Sequence, residues 1–161
     1  MTIFDNLSDA GDRLAALVQA QHHGQPVIVL GVVPNGVPVA LPVARVMGVR
    51  VVALPALRKA DGPVISAVLG VGGAHVIVID DGVETGMVAR AAAAALVGSG
   101  AASITLAVPV CSRDAMADLS LRFDSVIAVD KPLARRSLAW HYQDFDVIDE
   151  ETALGLIANQ D

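Results

Sequence analysis

Short runs of β-branched and aliphatic residues alternate along this chain with longer amphipathic, Ala-rich stretches. Pro26 to Val33, Arg50 to Leu54, His75 to Ile79, Ser103 to Val108 and Ser125 to Val129 are almost continuously apolar, the pattern of strands buried on both faces. Between them lie helical signals. Asn6 or Ser8 can cap a helix to about Gln21, with Leu7, Leu14, Leu17 and Val18 on one face, and His22-His23-Gly24 ends it. A second helix runs from about Pro38 to a C-terminal glycine at Gly48, with Pro42 placed to kink it. A third spans Met87 to Val97, a fourth starts at Ser112 or Arg113 and reaches about Leu119, and Asp149 caps a last one to about Asn159. Ala60-Asp61-Gly62-Pro63 reads as a turn, Val64 to Leu69 as a short extra strand, and Trp140 to Phe145 as extended. Strand–helix alternation predicts an α/β fold of three layers: a central, mainly parallel sheet with helices on both faces. Ligands of such sheets bind above the C-terminal ends of the strands.

Composition sharpens this. A chain of 161 residues suits one domain, here taken as 1–161. Hydrophobic residues make up 54%, charged residues 17% and aromatics only 3%, so the core is built from Val, Ala, Leu and Ile. A surface so lean in charge is expected to be covered in part by a second copy, giving a homo-oligomer. The net charge of −6 argues against nucleic acid as a partner. No apolar run approaches the roughly 20 residues that cross a bilayer, and Met1 to Asn6 lacks the features of a signal peptide. Cys111 stands alone and reads as a small core-edge residue. Together these predict a cytoplasmic protein without a membrane partner.

The chemistry concentrates in Val76-Ile77-Val78-Ile79-Asp80-Asp81-Gly82-Val83-Glu84-Thr85-Gly86-Met87-Val88. A buried strand runs into two adjacent carboxylates, then into a turn bounded by glycines, then into a helix. Neighbouring acids there can hold the two vicinal hydroxyls of a ribose, while the turn's N–H groups and the helix N-terminus hold a phosphate. An ordinary Asp-Asp-Gly turn is the plainer reading. A receiver-domain acid pair would follow the first strand, whereas this one follows the third main strand. No Gly-x-Gly-x-x-Gly stands between a strand and a helix.

This stretch resembles the phosphoribosyl-pyrophosphate (PRPP) binding signature of type I phosphoribosyltransferases, in the manner of a divergent bacterial member. Gly31-Val32-Val33-Pro34-Asn35-Gly36-Val37-Pro38-Val39-Ala40 resembles that family's pyrophosphate loop, and Arg58-Lys59 the basic pair after its second strand. Ala107-Val108-Pro109-Val110 and Tyr142-Gln143-Asp144-Phe145 also fall at its usual places. The resemblance implies transfer of a 5-phosphoribosyl group from PRPP to a small nitrogenous base, such as a purine, with Mg²⁺ bound alongside PRPP. It implies that Asp80 and Asp81 bind the ribose hydroxyls. Gly82, Val83, Thr85, Gly86, Met87 and Val88 would form the 5-phosphate loop. Pro34, Asn35, Gly36 and Lys59 would face the pyrophosphate. Glu84 is either a general base near the acceptor or a solvated carboxylate. Trp140, His141 and Tyr142 either stack the base or pack the tail on the sheet. No metal site made of side chains alone is expected.

Departures from the family pattern leave a second reading open. Pro34 stands where an Arg or Lys is usual, Val88 stands where a last Thr is usual, and the hood at about 57–73 is short. Arg58, Lys59 or Arg135-Arg136 can replace the lost charge. The alternative is a non-catalytic or regulatory relative that binds PRPP or a nucleoside monophosphate.

Overall fold

A computed structural model describes residues 3–160. Its elements in chain order are α1 (Leu7–His22), β1 (Ile28–Val32), α2 (Gly36–Met47), β2 (Val51–Leu54), β3 (Leu57–Lys59), β4 (Gly62–Val64), β5 (His75–Ile79), α3 (Met87–Gly98), β6 (Ser103–Val110), α4 (Arg113–Leu119), β7 (Ser125–Asp130), a 3₁₀ turn (Leu138–His141) and α5 (Glu150–Ala158). Five strands form one parallel sheet in the order β2-β1-β5-β6-β7. Residues alternate between its faces, so each face builds its own core. Val29, Ile77, Ile79 and Ala107 pack under α1 and α2, while Leu30, Val76, Val78, Leu106 and Val108 pack under α3 and α4. The three-layer α/β architecture read from the sequence is present. No helix among the described residues is long and apolar enough to cross a membrane.

Helix ends follow the capping residues. Asn6, Ser112 and Asp149 accept backbone N–H bonds from Asp9, Ala115 and Thr152 at 2.8, 3.3 and 2.7 Å. Gly48 ends α2 in the left-handed conformation (φ 72°).

Three local expectations need correction. The hood is a hairpin of β3 against β4 across Ala60-Asp61, and 65–69 is not a strand. Local antiparallel pairing across a two-residue turn outcompetes a more distant partner. Pro109 lies inside β6, which outruns β5 and continues beside β7 to the Val110–Asp130 pair. Residues 140–145 are not one extended segment. A 3₁₀ turn comes first, because Ile3 and Phe4 both donate to the His141 carbonyl (3.0 and 3.1 Å), and a lone bridge joins Tyr142 to Phe4.

The chain path also fixes where a ligand can bind. From β1 the chain crosses through α2 to β2 on one side. From β5, on the other side of β1, it crosses through α3 to β6. The loops after β1 and β5 therefore diverge and leave a crevice at the C-terminal ends of the two strands. Gly36, the first residue of α2, lets these loops touch: a Cβ there would lie 2.6 Å from the Ile79 carbonyl and 3.0 Å from Asp80 Cα.

The α1–α2 crossing depends on Gly11. A Cβ at this position would lie 2.5 Å from the Val39 carbonyl oxygen and 2.9 Å from Cγ of Pro42, whose ring occupies the notch that Gly11 leaves. Alanine gains about 1 kcal/mol of helix propensity over glycine, but forcing a methyl against backbone costs about 1–3 kcal/mol. Gly11→Ala is expected to lower the urea unfolding midpoint; an unchanged or higher midpoint contradicts this packing.

Candidate active site

The apolar run of β5 ends at Ile79, and the next two residues deliver their carboxylates into the crevice. Asp81 N–H donates to Asp80 Oδ1 at 2.8 Å. Burial pushes the Asp80 carboxyl well above the usual carboxylate range, and the charge of Asp81 pushes it further. Burial likewise raises Asp81, while hydrogen bonds with the Asp80 and Asn35 side chains pull it partly back. Below them the Tyr142 hydroxyl donates to the Asp81 carbonyl at 2.7 Å. Burial, then the nearby acids, keep that phenol protonated as a donor.

The loop expected to hold a phosphate follows. Val83 N–H donates to the Val110 carbonyl at 2.9 Å, which ties the loop's start to the end of β6. Gly86 (φ 80°) caps α3 and, as a glycine, brings no side-chain acceptor of its own to the helix's first amides. The Thr85 hydroxyl accepts from Met87 N–H at 3.3 Å. These are donors suited to an anion. The β3–β4 hairpin rests on the same helix end, since a Cβ on Gly62 would come 2.8 Å from Met87 Cε.

Two connected lobes open above the acids. The larger, about 420 Å³, is lined by residues including Asp80, Asp81, Thr85, Met87, Leu138 and Phe145. The smaller, about 260 Å³, is lined by Pro34, Asn35, Pro55, Arg58 and Glu150 among others. Asn35, Arg58, Asp80 and Asp81 border both. Asn35 Oδ1 also accepts from Ile148 N–H at 3.0 Å and anchors the tail beside the loop after β1.

The structure thus brings Asp80, Asp81, Gly82, Val83, Glu84, Thr85, Gly86, Met87 and Val88 together with Pro34 and Asn35 around one cleft, and Gly36 abuts the acid turn. Lys59 is exposed and does not border the cleft; its neighbour Arg58 does, because successive strand residues point to opposite faces. Trp140, His141 and Tyr142 do not line the cleft either. His141 is 1% exposed, its Nδ1 is 3.4 Å from Asp130 Oδ2, and burial lowers its pKa. Tyr142 packs between the rings of Phe4 and Phe145, and Trp140 lies outside under the Arg136 guanidinium at 4.5 Å. The side chains lining that end are Leu138 and Phe145. Leu138 and Glu150 carried no sequence signal for this role. Cys111 is buried and its thiol is pushed up to about 11 by burial.

A Phosphoribosyl transferase domain family pattern matches residues 2–132, most of the chain. The chain belongs to the phosphoribosyl transferase domain family. Two Mycobacterium tuberculosis proteins with provisional phosphoribosyl transferase names, one from strain CDC 1551 / Oshkosh and one from ATCC 25618 / H37Rv, are each 25% identical over 208 aligned positions. The alignment covers 98% of this chain but 47% of those proteins, so the chain spans about half their length. Among solved structures, a protein from Thermus thermophilus superposes with a TM-score of 0.84 at 22% identity, covering 98% of both chains. A purine phosphoribosyltransferase from Pyrococcus horikoshii Ot3 gives 0.61 at 19%, covering 89% of this chain and 92% of that one. A hypoxanthine phosphoribosyltransferase from Staphylococcus aureus gives 0.57 at 13%, covering 79% and 73%. These similarities show the fold.

The raised acids also affect stability. Relative to an unfolded chain, both carboxyls sit higher in the fold. Their neutral forms stabilise the fold below the ordinary carboxylate range, and this contribution is lost as pH rises through the raised values. Asp80→Asn is therefore expected to raise the melting temperature of the ligand-free protein at neutral pH, by about 2–4 °C per kcal/mol recovered. The gain should shrink toward zero near about pH 4, where wild type is also protonated. Thermal melts across pH check this; a loss of stability at neutral pH contradicts it.

Proposed function

We propose that this protein is a PRPP-dependent phosphoribosyltransferase acting on a small nitrogenous base. The observation that carries the reading is the placement of two adjacent buried carboxylates between a glycine-capped helix N-terminus and a second lobe bordered by Arg58. In the proposed reaction the bond from ribose C1 to pyrophosphate breaks while a bond from C1 to a base nitrogen forms. Positive charge develops on the ribose ring, and Asp80 and Asp81 hold its hydroxyls and favour that charge. The 5-phosphate rests on the amides after Val83 and on the Thr85 hydroxyl. Arg58 faces the departing pyrophosphate in the place that Pro34 leaves without a cation.

The acids fit Mg²⁺ as partners of a ligand rather than as a cage. No group of three or more His, Cys, Asp or Glu side chains that could hold a metal occurs among the described residues. Two raised carboxylates are hard oxygen donors that a cation sharing the substrate's oxygens would favour in the ionised form. Mg²⁺ bound with PRPP would supply neutralisation of the pyrophosphate charge. The names of the P. horikoshii and S. aureus neighbours make purines the first bases to test.

A second reading has its own support. Pro34 and the carboxylate of Glu150 both border the smaller lobe, which weakens it as a pyrophosphate site. A protein that keeps only a nucleoside monophosphate would tolerate both.

Calorimetric titration with PRPP and Mg²⁺, beside AMP, GMP and UMP, separates the readings. The transferase reading expects Mg²⁺-dependent PRPP binding that Asp81→Asn abolishes without unfolding the protein. Arg58→Ala should weaken PRPP by about 10- to 100-fold, the loss of a charged hydrogen bond, while monophosphate affinity changes by less than about 3-fold. Nucleotide binding without PRPP binding would overturn the transferase in favour of the monophosphate binder. Unchanged affinity in Asp81→Asn would remove the site assignment itself.

A further inference from the structure

Residues 133–137, all exposed, run as an irregular segment past the larger lobe into the 3₁₀ turn that begins at Leu138. Both flanks are pinned. On one side Arg113 N–H donates to the Pro132 carbonyl at 3.0 Å, and Arg113 Nε to the Lys131 carbonyl at 3.3 Å. On the other the Tyr142 hydroxyl holds the Asp81 carbonyl at 2.7 Å, and Gln143 N–H donates to the Phe4 carbonyl at 2.8 Å.

Between these anchors, apart from the local bond from Trp140 N–H to the Ser137 carbonyl at 3.1 Å, the hydrogen bonds tying 133–138 to the rest of the described protein go to one residue. Leu138 N–H donates to Glu84 Oε1 at 2.8 Å, and Arg135 Nη1 donates to the Glu84 carbonyl at 3.4 Å. The Leu138 side chain then lies on the turn after the acids. Gly82 makes room for it: a Cβ there would come 2.5 Å from Leu138 Cδ2, and its φ of 149° also favours glycine. Leu138 is thereby a wall of the lobe that holds Asp80, Asp81 and Thr85.

We propose that Glu84 is a positioning residue, the latch that holds the 133–138 strap so that Leu138 forms an apolar wall beside the acceptor position. A solvated carboxylate does not account for the 2.8 Å bond from the Leu138 amide; the Arg135 bond falls on the Glu84 backbone and adds to the same contact. The Leu138 amide engages Oε1 and so fixes the carboxylate on the strap, while Oε2 carries no bond within the described residues. The latch also restricts the acceptor. Arg135 is held on the outer side of the loop and does not border the larger lobe, so a base carrying its own carboxylate meets Glu84 and no cation beyond the shared Arg58. The latched wall selects a neutral base with an apolar face. The acceptor position rests on the transferase reading; the latch does not.

The test compares wild type, Glu84→Gln and Glu84→Ala. Gln keeps an oxygen that can accept from Leu138 N–H but loses the charge and the basicity. Hydrogen exchange at the Leu138 amide, read in the ligand-free protein, is expected to be about tenfold faster in Glu84→Ala and within about threefold of wild type in Glu84→Gln. The accessibility of Trp140 to a quencher should follow the same order; it is the sole Trp of the chain. Affinity for AMP should fall in Glu84→Ala and recover in Glu84→Gln, and wild type should bind AMP at least tenfold more tightly than orotidine monophosphate. Equal Leu138 exchange in all three proteins would overturn the latch, as would a Gln variant no better than Ala in exchange and AMP affinity. If no base is ever turned over, the exchange result still decides the latch, so failure of the transferase reading and failure of this one are distinguishable.

Discussion

Two carboxylates on consecutive residues at the end of a buried strand repel one another and lose hydration together, and the rest of this structure is arranged around that conflict. Parallel strands β1 and β5 must be neighbours for the loops after them to diverge and open the crevice in which the acids lie. Gly36 must lack a side chain for the β1 loop to reach the acid turn. Asn35, Tyr142 and the Asp81 amide each contribute a hydrogen bond around the pair. Arg58 is the cation that partly offsets the Asp80 charge. A ligand-free fold that holds acids above their ordinary range stores unfavourable charge, and a cation-bearing ribose phosphate would relieve it. On the proposed function, stability and binding would be opposed at Asp80 and Asp81.

The tail after β7 ties together parts of the molecule that are distant in sequence. From Lys131 onward it contributes the strap, then the Tyr142 post beneath the acids, then the Ile148 amide held by Asn35, and finally α5 beside edge strand β2. Gln160 closes the path. Its side-chain amide pairs with both backbone groups of Val51, accepting at 2.6 Å and donating at 3.0 Å, and so occupies hydrogen bonds that an edge strand otherwise exposes. One C-terminal segment thus buttresses the acid turn, walls the larger lobe and covers an edge of the sheet.

Most of the frame was readable because it rests on local signals. Buried parallel strands declare themselves as β-branched runs, Asn6, Ser112 and Asp149 are strong caps, and Asp80-Asp81 followed by Gly82 to Val88 is chemically distinctive in one dimension. Reading failed where the answer lay in long-range contacts. Lys59 and Arg58 are neighbours, and only the facing of β3 decides which one borders the cleft. The sequence left Trp140, His141 and Tyr142 open between stacking a base and packing the tail, and pairing of residues 3 and 4 with this segment turns His141 and Tyr142 inward, the packing alternative. Leu138 and Glu150 reach the cleft through connections more than 50 residues from the acids they face, and no sequence spacing encodes that.

The most direct test of the central claim is a carbon-detected NMR titration of the Asp80 and Asp81 carboxyls, in the ligand-free protein and again with PRPP and Mg²⁺. Without ligand, the pair should titrate above the usual carboxylate range, as two coupled steps. With ligand, both carboxyls should stay ionised to lower pH. Two ordinary titrations, unchanged by the ligand, would contradict the account.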